Sequence, residues 1–144
     1  MAPGKRRKQP QSSPVVRYTV IALGVIALLL GLAVTRQASA DHPEPREDLT
    51  GVTVASSSRY ADNPRIARVY EMAAAVPHVL DGLYCHCECS KHSGHRSLLD
   101  CFRDDHGAGC DVCLHEAQLA YEMSSEGKSL KEIRAAIDAF YQSG

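Results

Sequence analysis

Apolar residues fall into three regimes along this chain of 144 residues. An uncharged apolar run extends from Tyr18 to Val34. A polar stretch rich in Pro, Glu, Asp, Ser and Thr follows, from Asp41 to Ser58. Beyond it, helical periodicity begins. Asp62-Asn63-Pro64 places a capping side chain ahead of a proline at the first helical position, which starts a helix. Ile66, Val69, Tyr70, Ala73 and Ala74 then recur at helical spacing. Pro77 predicts a kink or a fresh start at Val76-Pro77. Val79, Leu80 and Leu83 continue the apolar face, and Asp81-Gly82 ends it. Between Ser90 and Gly109 the period is lost, and Gly94, Gly107 and Gly109 permit turns; Ser97-Leu98-Leu99 predicts a single helical turn. A second long helix is expected from Cys110 or Asp111 to about Ser125, stopped by Gly127. Ser129-Leu130-Lys131-Glu132 is a capping box. It opens a third helix whose apolar face carries Leu130, Ile133, Ala136, Ile137, Phe140 and Tyr141.

The pattern predicts an all-α fold: a small three-helix domain over residues 61–144, with a Cys/His-rich loop between helices one and two. Residues 41–60 read as a flexible, solvated linker, with His42 a solvated histidine in it. Residues 1–40 read as a targeting segment. Charge supports that division. Residues 1–40 carry six Lys/Arg and no acid, whereas residues 41–144 carry ten Lys/Arg against seventeen Asp/Glu. The basic block Lys5-Arg6-Arg7-Lys8 before an uncharged run is the pattern of a signal peptide or an N-terminal anchor. The run is near the lower edge of the roughly 17–25 residues that span a bilayer. Ala38-Ser39-Ala40 has the small-x-small form of a cleavage site. The expected location is therefore extracytoplasmic. The domain is either held at the membrane by residues 18–34 or released after cleavage near Ala40. No cysteine lies in or just after the run to accept a lipid. An acidic domain lacks the basic footprint that nucleic-acid binding needs.

All six cysteines lie between Cys85 and Cys113, and five of the seven histidines lie between His86 and His115. Thiolate and imidazole are the usual ligands of zinc, and soft thiolates select copper(I). In an extended Cys85-His86-Cys87-Glu88-Cys89, alternate side chains share a face, so the three sulfurs can meet at one centre while His86 points away. Cys110-Asp111-Val112-Cys113 puts a C-x-x-C at a helix start, where thiol pKa values fall. The expected donors are Cys85, Cys87, Cys89, Cys101, Cys110 and Cys113, with His95 or His106 completing the set. His115 lies on another face of the second helix, and His78 on a helix surface. The donors outnumber the four that one zinc takes, which favours copper(I) or a multinuclear cluster.

Two alternatives share these residues. Cys85, Cys87 and Cys89 can pair with Cys101, Cys110 and Cys113 as three disulfides, which an oxidising compartment favours and a small core would use. Cys110 and Cys113 can also serve thiol–disulfide exchange, although no thioredoxin-like βαβ pattern surrounds them. Leu114 separates the C-x-x-C from His115, so it is not a haem-attachment site. No nucleophile–base–acid set indicates an enzyme.

The blocks Val76-Pro77-His78-Val79-Leu80, Cys85-His86-Cys87-Glu88-Cys89, Gly94-His95, Leu99-Asp100-Cys101-Phe102, His106-Gly107-Ala108-Gly109-Cys110-Asp111-Val112-Cys113 and Gly127-Lys128-Ser129 resemble those of the bacterial proteins named for a PCYCGC motif. Tyr84, His86 and Glu88 stand where that motif has Pro, Tyr and Gly. The resemblance spans roughly residues 65–141. It implies an extracytoplasmic and often lipid-anchored protein, and it implies no particular activity. The functional expectation is an exported, membrane-associated module that binds copper(I) or zinc(II) for storage, delivery or resistance. Its partners would be the metal ion and an envelope metalloenzyme or assembly factor.

Overall fold

The computed structural model describes residues 40–142. The basic block, the apolar run 18–34 and Ala38-Ser39 lie outside them. Among the described residues no helix is long and apolar enough to cross a membrane, and none of these residues is in a strand. Three long helices form the frame: α1 (Pro64–Ala75), α4 (Asp111–Ser125) and α5 (Leu130–Gln142). Two short ones, α2 (Pro77–Asp81) and α3 (Cys89–His92), and 3-10 turns at Ser57–Tyr60, Leu98–Phe102 and Gly107–Gly109 complete it.

The boundaries follow local chemistry. Asn63 caps α1 by accepting a hydrogen bond from the Ile66 amide, and Pro64 follows at the first helical position. Pro77 lacks an amide hydrogen and so cannot continue α1; it starts α2 instead. Gly127 sits at φ 77°, the left-handed geometry that closes α4 at little cost only for glycine. The Ser129 amide donates to the Glu132 carboxylate at 2.8 Å and the Glu132 amide to the Ser129 hydroxyl at 3.4 Å, the reciprocal pairing of a capping box.

α1 packs on α4, and α4 on α5. The core between them is built from Val69, Tyr70, Ala73, Leu80, Leu83, Leu98, Leu99, Phe102, Leu114, Ala117, Ala120, Ile133 and Ile137. Cys85, Cys89, Cys101 and Cys113 belong to this same buried cluster. The expected loop between the long helices is folded as a series of short turns that send Leu98, Leu99, Cys101 and Phe102 into the core, while residues 90–94 and 103–105 stay exposed.

The expected linker departs from the sequence reading. Residues 42–55 lie on the helical unit as a strap. Arg46 donates from its backbone and its guanidinium to the buried Asp81 carboxylate, at 2.7 and 2.6 Å. Arg134 donates to the Pro43 carbonyl at 2.7 Å and to Glu44. Leu49, Val52, Val54 and Ala55 pack against the core, and the Ala55 amide donates to the Phe102 carbonyl at 2.8 Å. His42 is not solvated, since its side chain is only 5% exposed. Its Nδ1 accepts from the Tyr84 amide, so Nε2 carries the proton and donates to Asp138 at 3.0 Å. The strap's anchors are charge pairs and a backbone carbonyl, while Glu47, Asp48, Thr50 and Thr53 between them stay exposed.

Candidate metal centre

Residues 85–88 form a turn, not an extended strand. The Glu88 amide donates to the Cys85 carbonyl at 2.9 Å, and Glu88 adopts φ 61°. Cys89 then begins α3. The three sulfurs still converge: Cys85–Cys87 is 3.2 Å, Cys87–Cys89 3.0 Å and Cys85–Cys89 3.8 Å. The convergence expected of these sulfurs is thus reached through a turn and not through an extended segment. Cys113, in the first turn of α4, completes the group at 3.4 Å from Cys85 and 3.5 Å from Cys87. The four sulfurs lie within 4.8 Å of one another.

All six cysteines are free thiols. A disulfide holds its sulfurs about 2.05 Å apart, and the observed separations are far longer. Four thiolates around one zinc, with bonds of about 2.3 Å, would be separated by about 3.8 Å at tetrahedral angles. The observed 3.0–3.8 Å approaches that spacing from below. Contacts this short are tight for non-bonded atoms, since even carbons prefer about 3.5–4.0 Å.

A second group adjoins the first. Cys89, His95, Cys101 and His106 also lie within 4.8 Å of one another. His106 Nε2 is 3.1 Å from Cys89 Sγ, and His95 Nδ1 is 3.3 Å from Cys101 Sγ. The Leu98–Phe102 turn carries Cys101, and the Gly107–Gly109 turn follows directly on His106. Gly107 lets these turns close: a Cβ there would lie 2.8 Å from the Cys101 carbonyl oxygen. The Tyr70 hydroxyl, donating to the Asp104 carbonyl at 2.7 Å, ties the approach to α1.

Seven of the eight expected donors thus fall into these two groups. Cys110 falls into neither; it is half-buried at the cap of α4. His115 pairs with the Tyr141 hydroxyl at 2.8 Å, and His78 is exposed, as their positions on the helices suggested.

Glu116 and Asp138 escaped the sequence reading. His86 does point away from the sulfurs, and it enters a buried polar network. Its amide and Nδ1 meet Glu116 Oε1 at 3.1 and 2.5 Å, and its Nε2 meets Asp138 at 3.2 Å. Its ring stacks on Tyr141 with centroids 4.9 Å apart. The turn that carries Cys85 and Cys87 is thereby fastened to both α4 and α5. The available signal was Glu116 three residues beyond Cys113, on the same inward face of the helix, and Asp138 beside Ile137.

The electrostatics divide the thiols. Hydrogen bonds from Cys101 and Cys113 hold Cys85 well below the ordinary thiol range. Burial pushes Cys87 and Cys89 up. Hydrogen bonding to Cys101 and Cys85 pushes Cys113 up. Burial raises Glu116 to about 7, against the opposing hydrogen bond from His86. That same bond raises His86, so the pair favours keeping a shared proton.

With this architecture in view, the chain is a helical protein with a Cys/His-rich centre capable of holding metal. It belongs to the family described as "Protein of unknown function with PCYCGC motif", which matches residues 25–144. Neither a curated protein nor a solved structure matches it.

Proposed function

We propose that the protein is an exported, membrane-associated binding module for a thiophilic metal ion, copper(I) or zinc(II). The observation that carries this reading is the convergence of Cys85, Cys87, Cys89 and Cys113 from separate segments onto one buried point. Soft thiolates select these ions over hard ones. The basic block and apolar run at the N-terminus support export. Storage, delivery to an envelope metalloenzyme or assembly factor, and resistance are the roles such a module serves. The protein acts on its cargo by holding and releasing it, and no catalytic step is required.

The test is to purify the protein from the cell envelope or the medium, and to measure bound metal and free thiols together. Stoichiometric copper or zinc is expected, with the thiols reactive after chelation. Six paired cysteines and no metal would sink the proposal. In a Cys110→Ser variant, metal stoichiometry should be unchanged, because Cys110 lies outside both donor groups. Loss of an ion there would instead bring the C-x-x-C into the centre.

A further inference from the structure

We propose that the centre holds two ions joined by the thiolate of Cys89; this rests on the metal-binding reading above. Cys89 belongs to both donor groups, and no other residue does. The first group supplies Cys85, Cys87, Cys89 and Cys113; the second supplies Cys89, Cys101, His95 and His106. Seven donors, one of them shared, fill the eight positions of two tetrahedral ions with none left over. The second group also has suitable spacing. A sulfur and an imidazole nitrogen on one tetrahedral zinc are about 3.6 Å apart, from bonds of about 2.3 and 2.0–2.1 Å. The observed nitrogen–sulfur distances are 3.1 and 3.3 Å.

The two groups are in contact as well as sharing a residue. Cys101 Sγ lies 3.8 Å from Cys85 Sγ, so the five sulfurs form one continuous patch. Charge favours filling both positions. One divalent ion among four thiolates leaves two excess negative charges in the core. A second ion, with Cys101 as the fifth thiolate and two neutral imidazoles, leaves one. Cys85, Cys89, Cys101 and Cys113 are at most 4% exposed, and uncompensated charge at such depth is costly. The outer position has a route to solvent: His95 is half-buried and lines a surface pocket with Asp100 and Asp104. Arg103 lines the same pocket 3.6 Å from Asp100, so the lining is of mixed charge. Each thiol that ligates releases its proton to solvent, and no change of oxidation state is involved.

A zinc titration of the reduced, metal-free full chain in detergent, followed by native mass spectrometry, tests the stoichiometry. The wild-type protein should take up two zinc ions, and a His95→Ala/His106→Ala variant only one. Circular dichroism checks that the variant keeps its helices, and His95→Ala alone provides a milder second variant that should weaken the second ion selectively. Cobalt(II) then tests the bridge. Two high-spin ions linked through one thiolate couple magnetically, so the resonance intensity per ion should fall between the one-ion and two-ion forms. A single zinc in the wild type, retained in the histidine variants, overturns the second ion while leaving metal binding intact. Two ions with undiminished cobalt intensity overturn the bridge. Uptake of no zinc would overturn this inference, and uptake of neither zinc nor copper(I) would overturn the metal-binding reading beneath it as well.

Discussion

Glu88 stands at φ 61°, a conformation that costs an ordinary L-residue about 1–2 kcal/mol and glycine little. The motif that names the family has glycine here. The turn that gathers the sulfurs thus gives a physical reason for that preference, and this chain meets it with a strained residue. Glu88 also pairs with Lys91, but both side chains are more than half exposed, and such pairs contribute about 0–1 kcal/mol. Glu88→Gly should therefore stabilise the reduced, metal-free protein by up to about 1 kcal/mol in urea unfolding; a loss of stability would contradict the strain. A second residue-scale prediction concerns Glu116. Its folded pKa, about 7, lies above the ordinary carboxyl value of 4.5. A group raised on folding stabilises the fold below its unfolded value, and that contribution is lost as pH rises through the folded one. Between pH 4.5 and 8 the metal-free protein should lose about 3 kcal/mol from this source. In Glu116→Gln that component should vanish. The check is unfolding free energy against pH for both proteins, and parallel curves would refute the assignment.

The elements owe their positions to long-range charge as much as to apolar periodicity. Asp81, at the end of α2, is fully buried. It accepts from Arg46, from Arg96 at 3.1 Å and from Ser97 at 3.0 Å. Burial alone would raise its pKa, but these partners, Arg46 foremost, overcome that and hold it at about 2. Asp81→Asn leaves two partly exposed arginines facing a neutral amide and should cost about 1–3 kcal/mol, as losing hydrogen bonds to a charged group does. Urea unfolding reads the loss, and protease sensitivity in residues 42–55 should rise with it. This arrangement also explains what the sequence could reveal. The three long helices were legible because their caps and apolar spacing are local: Asn63-Pro64, Gly127 and the Ser129/Glu132 pair each act within a few residues. The strap was not legible. Arg46 finds Asp81, Arg134 finds Pro43 and Glu44, and His42 finds Asp138 across separations of 35 to 96 residues, which no local pattern encodes. The donors lay between these cases. Their identity was written in the cysteine spacing, whereas their division into two groups depended on a turn and on Gly107.

For the molecule as a whole, the sulfurs occupy the place where a domain of this size would otherwise put aliphatic packing. A small helical core is marginal on burial alone, so the ion should contribute to the fold itself. At a free zinc concentration a thousand times the dissociation constant, binding one ion should add about 4 kcal/mol. The melting temperature should rise with zinc and fall on chelation, and a melting temperature indifferent to both would separate the centre from the stability of the fold. The fastening of His86 has a consequence in time. All six thiols precede Glu116 in the chain, and Asp138 comes later still, in the last helix. A chain made from its N-terminus therefore presents every sulfur before the carboxylates that orient the Cys85–Cys87 turn exist. During that interval the Cys85–Cys87 turn is without the side chains that fasten it to the last two helices. An early ion, or a reducing partner, would have its greatest effect on the growing chain rather than on the finished protein.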